Sequence, residues 1–336
     1  MNDYRRSAND AGLALRKRRR RFTARGVLGI LAALLLLVVL WVAGSAVEWS
    51  TGRRVFPWSP YALCGKSVPQ ALPTTVRIGL YEEFPVPWRL EKLRQIDFPV
   101  TLALAAKSRA EFLALRDTVQ QTYPQVQEVY FWPLLSKAEG YYPGAWSDAA
   151  SVRRVAAEAE GLPTLWDSEM PLGLSRWSLA DWWQNRTFVD QWLRQRSAPV
   201  QVWRSHTVMG LNPLFLRLMA LQFDPAEYSD VSLQLDFYTA GDGQPRAELA
   251  RMLRCGVEAY GDRFVPSFGV LDDGEGAPDL FVPAATLRRN LQLARQAGVS
   301  EIWLFGVNGL NEAYVSAIKE TVIENIERSE ISTLGY

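Results

Sequence analysis

Histidine and cysteine are almost missing from this chain. Among 336 residues there is one histidine, His206, and two cysteines, Cys64 and Cys255, which stand far apart. No cysteine pair has metal-ligand spacing. A single histidine argues against the hydrolases that hold zinc with several, so neither a metal site nor a cofactor is expected. Carboxylates alone could still hold a hard cation. The two thiols are expected to be buried and unpaired, although outside the cytoplasm they could pair. An excess of one charge is also absent, with a net charge of +1. That total conceals a division: residues 1–26 carry nine Lys or Arg and two Asp, and the rest of the chain is mildly acidic. The body therefore lacks the positive surface that nucleic-acid binding needs. Beyond the strand–helix alternation described below there is no short repeat, and no low-complexity stretch lies outside the tail.

After the basic tail comes VLGILAALLLLVVLWVAGSAV, residues 27–47, with no charged side chain. At 1.5 Å per residue it spans ~30 Å, the thickness of the bilayer core. A signal-peptide core is shorter, ~7–15 residues. Gly44-Ser45-Ala46 could be a cleavage site, and Arg19-Arg20-Arg21-Phe22 faintly matches a twin-arginine signal. The reading adopted is an uncleaved transmembrane helix, with the lipid bilayer as its partner. Because the Lys/Arg cluster precedes it, the N-terminus should be cytoplasmic and the body extracytoplasmic. Residues 48–75, with four prolines, read as a linker that leaves the membrane through an interfacial Trp/Arg belt, with Trp41, Trp49 and Trp58 placed as aromatic anchors. The domain plan is a tail (1–26), a span (27–47), a linker (48–75), a folded domain (76–328) and a C-terminal tail (329–336).

From residue 76 a rhythm appears. Eight β-type segments begin near 76, 98, 126, 162, 200, 231, 263 and 301, with helical stretches visible between most of them. The weakest helix is PWRLEKLRQI, after the first segment. Alternation of this kind implies parallel strands, and eight units over ~250 residues is the size of a (β/α)8 barrel. An open doubly wound sheet is the alternative. Ser108, Ser147, Ser178 and Asn212 sit where helix N-caps belong, and Gly161, Gly261 and Gly298 lie near C-terminal ends.

In such barrels the site lies at the C-terminal ends of the strands. Side chains two apart in a strand share a face. In the sixth segment Val231, Leu233, Leu235 and Phe237 should face the helices. Ser232, Gln234, Asp236 and Tyr238 should line the interior near its mouth. The first segment then turns Tyr81 and Glu83 inward, and the fourth, LPTLWDSEM, turns Asp167 and Glu169 inward. Asp272, Asp273 and Glu275 follow the seventh. Clustered carboxylates raise one another's pKa, and a raised Glu can act as a general acid near neutral pH. Glycoside hydrolysis needs such an acid beside a second carboxylate. Trp132, Tyr141, Tyr142, Trp146 and Trp166 add flat rings that suit the apolar faces of sugars.

On these residues the chain resembles glycoside-hydrolase barrels, most closely family-18 chitinase-like proteins. Those end their fourth strand in Asp-x-Asp-x-Glu; here the stretch is Leu165-Trp166-Asp167-Ser168-Glu169, so the last Asp-x-Glu matches and the first Asp is replaced. The resemblance implies Glu169 as general acid, Asp167 as its partner orienting the substrate's acetamido group, and Tyr238 in the role of the strand-six tyrosine, supported by Asp236. The sixth strand reads Asp236-Phe237-Tyr238-Thr239 rather than Met-x-Tyr-Asp, a further departure. Glu83, Trp132, Arg204, His206, Asp272 and Asn308 are candidate substrate contacts, with a glycan or oligosaccharide as the partner. The expected function is a membrane-anchored barrel acting on glycan; the alternative is an inactive barrel that binds glycan or scaffolds the envelope.

Plainer readings stand beside these. Asp167 and Glu169 could pair with Arg176 or Arg204, and His206 could be a hydrogen-bonded structural residue. Gly306-Val307-Asn308-Gly309 could form a phosphate site at a helix start. Lys107 could serve as a Schiff-base lysine, with nothing nearby to support it. Trp177, Trp182, Trp183 and Trp192 fit helix packing in part. Asn185-Arg186-Thr187 matches a glycosylation sequon.

Overall fold

The computed structural model describes residues 35–37, 39, 40, 43, 76–169, 178–205, 225–236, 246–269, 271 and 281–323. The chain divides into two compact units, residues 1–58 and 59–336. In the first, Leu35, Leu36, Leu37, Val39 and Leu40 are helical with exposed side chains. Most of the 27–47 run lies outside the described residues, as do the tail, the linker and residues 324–336. Among the described residues no helix is long and apolar enough to cross a membrane.

In the second unit eight parallel strands close into a ring in sequence order. They are β1 (Arg77–Glu82), β2 (Val100–Ala106), β3 (Val126–Pro133), β4 (Thr164–Asp167), β5 (Val200–Ser205), β6 (Val231–Asp236), β7 (Phe264–Phe268) and β8 (Glu301–Phe305). The pairing of β8 with β1, Arg77 opposite Glu301 through Tyr81 opposite Phe305, shuts the barrel and excludes the open sheet. The described helices are α1 (Pro87–Leu90), α2 (Arg109–Thr122), α3 (Ala149–Glu158), α4 (Leu179–Arg194), α5 (Arg246–Tyr260), α6 (Ala284–Gln296) and α7 (Glu312–Ile318). The weak first helix is a single turn followed by a 3-10 turn, Glu91–Gln95. The helix expected after β5 lies outside the described residues.

Strand period two sorts the core into two shells. Ile78, Leu80, Leu102, Phe131, Trp166, Val202 and Leu304 face outward, where they join helix residues such as Phe112, Val155, Leu253 and Leu291. Tyr81, Ala103, Ala105, Tyr130, Trp132, Leu165, Trp203, Val265 and Trp303 form the separate cluster that fills the barrel. Trp166 is thus a packing residue, its ring 4.5 Å from Trp192, and not a mouth aromatic. Gly79 stands opposite Trp303 in the ladder. A Cβ there would lie 2.1 Å from the indole ring, so glycine lets Trp303 occupy the barrel centre.

The N-terminal end of the barrel is floored by a polar network. Glu301 accepts from Arg77 at 2.5 Å, and from Gln201 and the Trp303 indole at 2.6 Å each. Gln234 donates to Gln201 at 3.0 Å. Gln234 therefore belongs to the floor rather than to the mouth. A one-letter alternation gives the face of a residue but not its depth.

Ser108 and Ser178 cap α2 and α4, each accepting a backbone N–H at 3.2 Å. The α3 cap is Asp148, one residue beyond the expected Ser147, which instead donates to Tyr142 O at 2.6 Å. Gly161, Gly261 and Gly298 hold left-handed φ of 71°, 56° and 87°, as helix C-termini require. Cys255 on α5 is disulfide-bonded, which corrects the expectation of two unpaired thiols. Asn185, in the sequon, is fully buried and donates to Ala145 O and Ser147 O at 3.1 and 2.7 Å. It ties down the β3–α3 loop and is not a glycan acceptor.

Candidate active site at the C-terminal mouth of the barrel

The strand β4 ends the inner shell with acids. Leu165 is inside, Trp166 outside, and Asp167 turns back inward at the rim, only 4% exposed. The Glu169 backbone N–H donates to Asp167 Oδ1 at 3.3 Å, which folds the chain over so that the second carboxyl returns to the mouth. Ser168 donates to Trp203 O at 3.2 Å and holds this end against β5. Lower down, Arg196 is buried and donates to Ala159 O at 3.0 Å and Leu162 O at 2.5 Å, which fixes the segment that feeds β4.

The third acid is Glu83, just past β1. It accepts a hydrogen bond of 2.5 Å from the Tyr141 hydroxyl. Tyr141 has φ of +68°, a conformation that is uncommon outside glycine and costs roughly 1–3 kcal/mol. Surrounding bonds hold it: Leu135 N donates to Tyr141 O at 2.8 Å, and Tyr141 N donates to Ser136 O at 3.0 Å. At Gly144, in the same loop, a Cβ would come within 2.4 Å of Glu169 O, so the loop lies directly on the end of β4. Tyr142 stands edge-on to Tyr141 at 4.8 Å.

These acids lie close enough to perturb one another. Burial first, then the Glu83 charge, lift the Glu169 carboxyl up to about 7. Burial, then the Glu169 charge, hold Asp167 well above the usual carboxylate range. Burial raises Glu83 too, against the Tyr141 hydrogen bond and the Arg89 charge, which lower it. The Trp132 indole N–H lowers Asp167, yet it closes no bond of ordinary geometry and is left buried without an acceptor. No described lysine or arginine pairs with Asp167 or Glu169, so the structural pairing has no support among the described residues. Two proximate carboxyls, one of which keeps its proton near neutrality, are suited to general acid catalysis.

Beneath the acids lies an aromatic floor. Tyr81 is 5.9 Å from Trp132 and 5.0 Å from Trp303, and Phe305 is 6.3 Å from Trp132. Trp132 is buried within this layer, beneath Asp167. Asn308 is in the turn after β8; burial raises the Glu82 carboxyl above its ordinary value, against the Phe84 N–H, Arg89 and the Asn308 backbone N–H, which lower it. That carboxylate also accepts from Phe84 N at 2.9 Å and Arg89 at 3.4 Å. This places Asn308 beside Glu82 on the β1–β8 side. Asp236 closes β6, opposite Ser205 and Ser267, and Arg204 lies in β5. Tyr238, His206 and Asp272 lie outside the described residues. Lys107 is exposed beyond β2. Glu82, Arg89 and the Tyr141–Glu83 bond were not anticipated. The one signal was Gly140-Tyr141-Tyr142-Pro143-Gly144, a turn-forming run dense in aromatics.

No protein-family model matches the chain, and no curated protein does. Solved structures with related folds include glycoside-hydrolase barrels. A chitinase from Chromobacterium violaceum has 13% identity and a TM-score of 0.44, over 74% of this chain and 99% of its own. A GH18 chitinase from Pseudoalteromonas aurantia has 11% identity and a TM-score of 0.46, over 73% and 99%. A D-allulose 3-epimerase from Methylomonas sp. has 15% identity and a TM-score of 0.42, over 70% and 86%. The chemistry has to be read from the residues.

Proposed function

We propose that this protein is a glycan-acting (β/α)8 barrel that cleaves a glycosidic bond with Glu169 as the general acid. Asp167 is its partner carboxylate. The observation that carries this reading is the Glu83–Asp167–Glu169 cluster, in which Glu169 is raised to about 7 while it stays only half-buried. A proton held there at neutral pH is available to a leaving oxygen, and the partly exposed rings of Tyr141 and Tyr142 offer a surface for the apolar face of a sugar. Asp236 and Tyr238 follow as supporting groups of the same site, and Arg204, His206 and Asp272 as further contacts with substrate. The matching Asp-x-Glu favours an aminosugar glycan. In the test, wild type and Glu169→Gln are incubated with a glycan panel that includes aminosugar polymers. Wild type releases reducing ends, and the variant loses turnover by at least 10²-fold with its circular dichroism unchanged.

Leu165, in place of the first acid of the pattern, favours a second reading, a barrel that binds glycan without cleaving it. Wild type that binds a panel member and hydrolyses none would establish that reading.

The membrane arrangement belongs to the same proposal: residues 27–47 span the bilayer, residues 1–26 stay in the cytoplasm, and the barrel lies outside. The uncharged 21-residue run and its basic flank support it, as do the exposed helical Leu35–Leu37. The disulfide at Cys255 fits an oxidising compartment. Protease added to intact cells should digest the barrel and spare the tail.

A further inference from the structure

The three acids of the mouth are not equivalent, because hydrogen-bond donors are shared unevenly among them. Glu83 is half-buried and accepts the Tyr141 hydroxyl on Oε1 at 2.5 Å. The Arg89 guanidinium, on α1, adds its charge. Among the described residues no other side chain donates to this carboxyl, so Oε2 is left for a water. Asp167 is sealed from solvent, and burial with the Glu169 charge holds it toward its protonated form. The Glu169 carboxyl has no donor among the described residues, and burial with the Glu83 charge raises it. A donor favours the ionised form of a carboxyl, and burial without one favours the neutral form. Two groups whose surroundings push them apart divide the work of acid and base.

The placing of Tyr141 runs against backbone preference. Its φ is +68°, and Gly140 before it is at +126°. At Gly140 a Cβ would come within 2.4 Å of Ser147 Oγ. The loop is pinned from below by Glu139, which accepts from Ser136 N at 2.8 Å and from the Ser151 hydroxyl at 2.7 Å. A bulky residue clamped in a sparsely populated conformation points to function. What this conformation delivers is a hydroxyl on Glu83.

We propose that Glu83 is the catalytic base of the site, with Tyr141 as the residue that positions it, so that cleavage inverts the anomeric centre. This rests on the reading of Glu169 as general acid. The strands β1 and β4 are three places apart in the ring, so the two carboxyls come from different sides of the mouth. A water held by Glu83 attacks the anomeric carbon from the face opposite the leaving oxygen. The water oxygen bonds to that carbon and its proton passes to Glu83. The glycosidic C–O bond breaks, and the leaving oxygen takes the Glu169 proton. Exchange with solvent restores both carboxyls.

The test uses the full-length protein in detergent and two probes. One is the β-1,4-linked hexamer of N-acetylglucosamine. The other is the 2,4-dinitrophenyl β-glycoside of the dimer, whose leaving group needs no proton. Proton NMR should show the α-anomer formed first from the hexamer. Glu83→Ala should lose at least ~10²-fold on both probes, and azide should restore turnover of the second as the α-azide. Glu83→Gln should lose as much, keep a measurable residual rate, and serve if the alanine variant does not fold. Glu169→Gln should lose the hexamer and retain the dinitrophenyl glycoside. Tyr141→Phe should lower kcat about tenfold. It should also move the acidic limb of the pH profile upward, because the lost hydroxyl lowers Glu83 while Arg89, Tyr142, Asp167 and Glu169 still surround it.

The proposal is overturned by a β-anomer formed first, by a β-azide, by Glu83→Ala as active as wild type, by an acidic limb that does not move in Tyr141→Phe, or by wild type that turns over neither probe. Retention with Glu169→Gln inactive on the hexamer would remove Glu83 as base and leave the general acid standing. Inversion with Glu169→Gln fully active on the hexamer would remove the general acid and leave Glu83 standing.

Discussion

Glu169→Gln should make the protein more stable at alkaline pH while it destroys turnover, and the size of the gain follows from the site. The Glu169 carboxyl has an ordinary value of 4.5 and is lifted to about 7 in the fold. Between those values the native state holds a proton that the unfolded chain releases. Stability contributed by that proton is therefore present below the ordinary value and is lost as pH rises toward 7, with no further loss above it. A lift of that size corresponds to roughly 3 kcal/mol at pH 8 and less than about 1 kcal/mol at pH 5. Glutamine keeps the shape without the charge, so the variant should gain on the order of 3 kcal/mol at pH 8 and little at pH 5. Loss of the Glu169 charge also relieves Asp167, which that charge pushes up, and this adds to the gain. For a domain of this size the gain corresponds to a rise in Tm of about 5–10 °C. Thermal and urea denaturation of both proteins at pH 5, 6, 7 and 8, with the disulfide intact, measure it. Equal stabilities at pH 8, or a gain that does not shrink toward pH 5, would refute the account of Glu169 as a buried acid held protonated by its neighbours.

Other outcomes follow from the same geometry. Activity should fall on the alkaline side near pH 7, where Glu169 loses its proton, and Glu83→Gln should move that limb to lower pH because the Glu83 charge helps raise Glu169. A limb that does not move would mean the two acids are not in electrostatic contact. Asn185→Ala removes two buried hydrogen bonds to the loop that bears Tyr141; it should cost about 2–3 kcal/mol in urea denaturation and lower kcat. Gly79→Ala drives a methyl into the Trp303 ring; it should cost 3 kcal/mol or more and show as insoluble or poorly folded protein.

Much of the fold was legible in the sequence because strand and helix periods are local. Eight apolar segments separated by helical patterns point to a parallel barrel. The alternation in VRIGLYEEF was enough to put Tyr81 inside and Ile78 outside, as found. The same alternation brought Asp167 and Glu83 to one mouth, since the parity of a residue in a strand is a property of the chain alone. Depth was not legible: Gln234 and Asp236 have the same parity, yet Gln234 joins Glu301 at the floor. How far along the axis a residue lies depends on the stagger between neighbouring strands.

The sequence by itself determined which side chains face in, where acids are dense, and that a charged tail precedes an apolar run, because each of these is a pattern over a few adjacent residues. Only the tertiary structure decided that Tyr141 reaches Glu83 across 58 positions, that Asn185 is a buried clasp rather than a sugar acceptor, and that Cys255 is oxidised. It alone decided that burial and the Glu83 charge lift the Glu169 carboxyl to about 7. A pKa depends on burial and on charges brought close by folding, and neither is a property of neighbours along the chain.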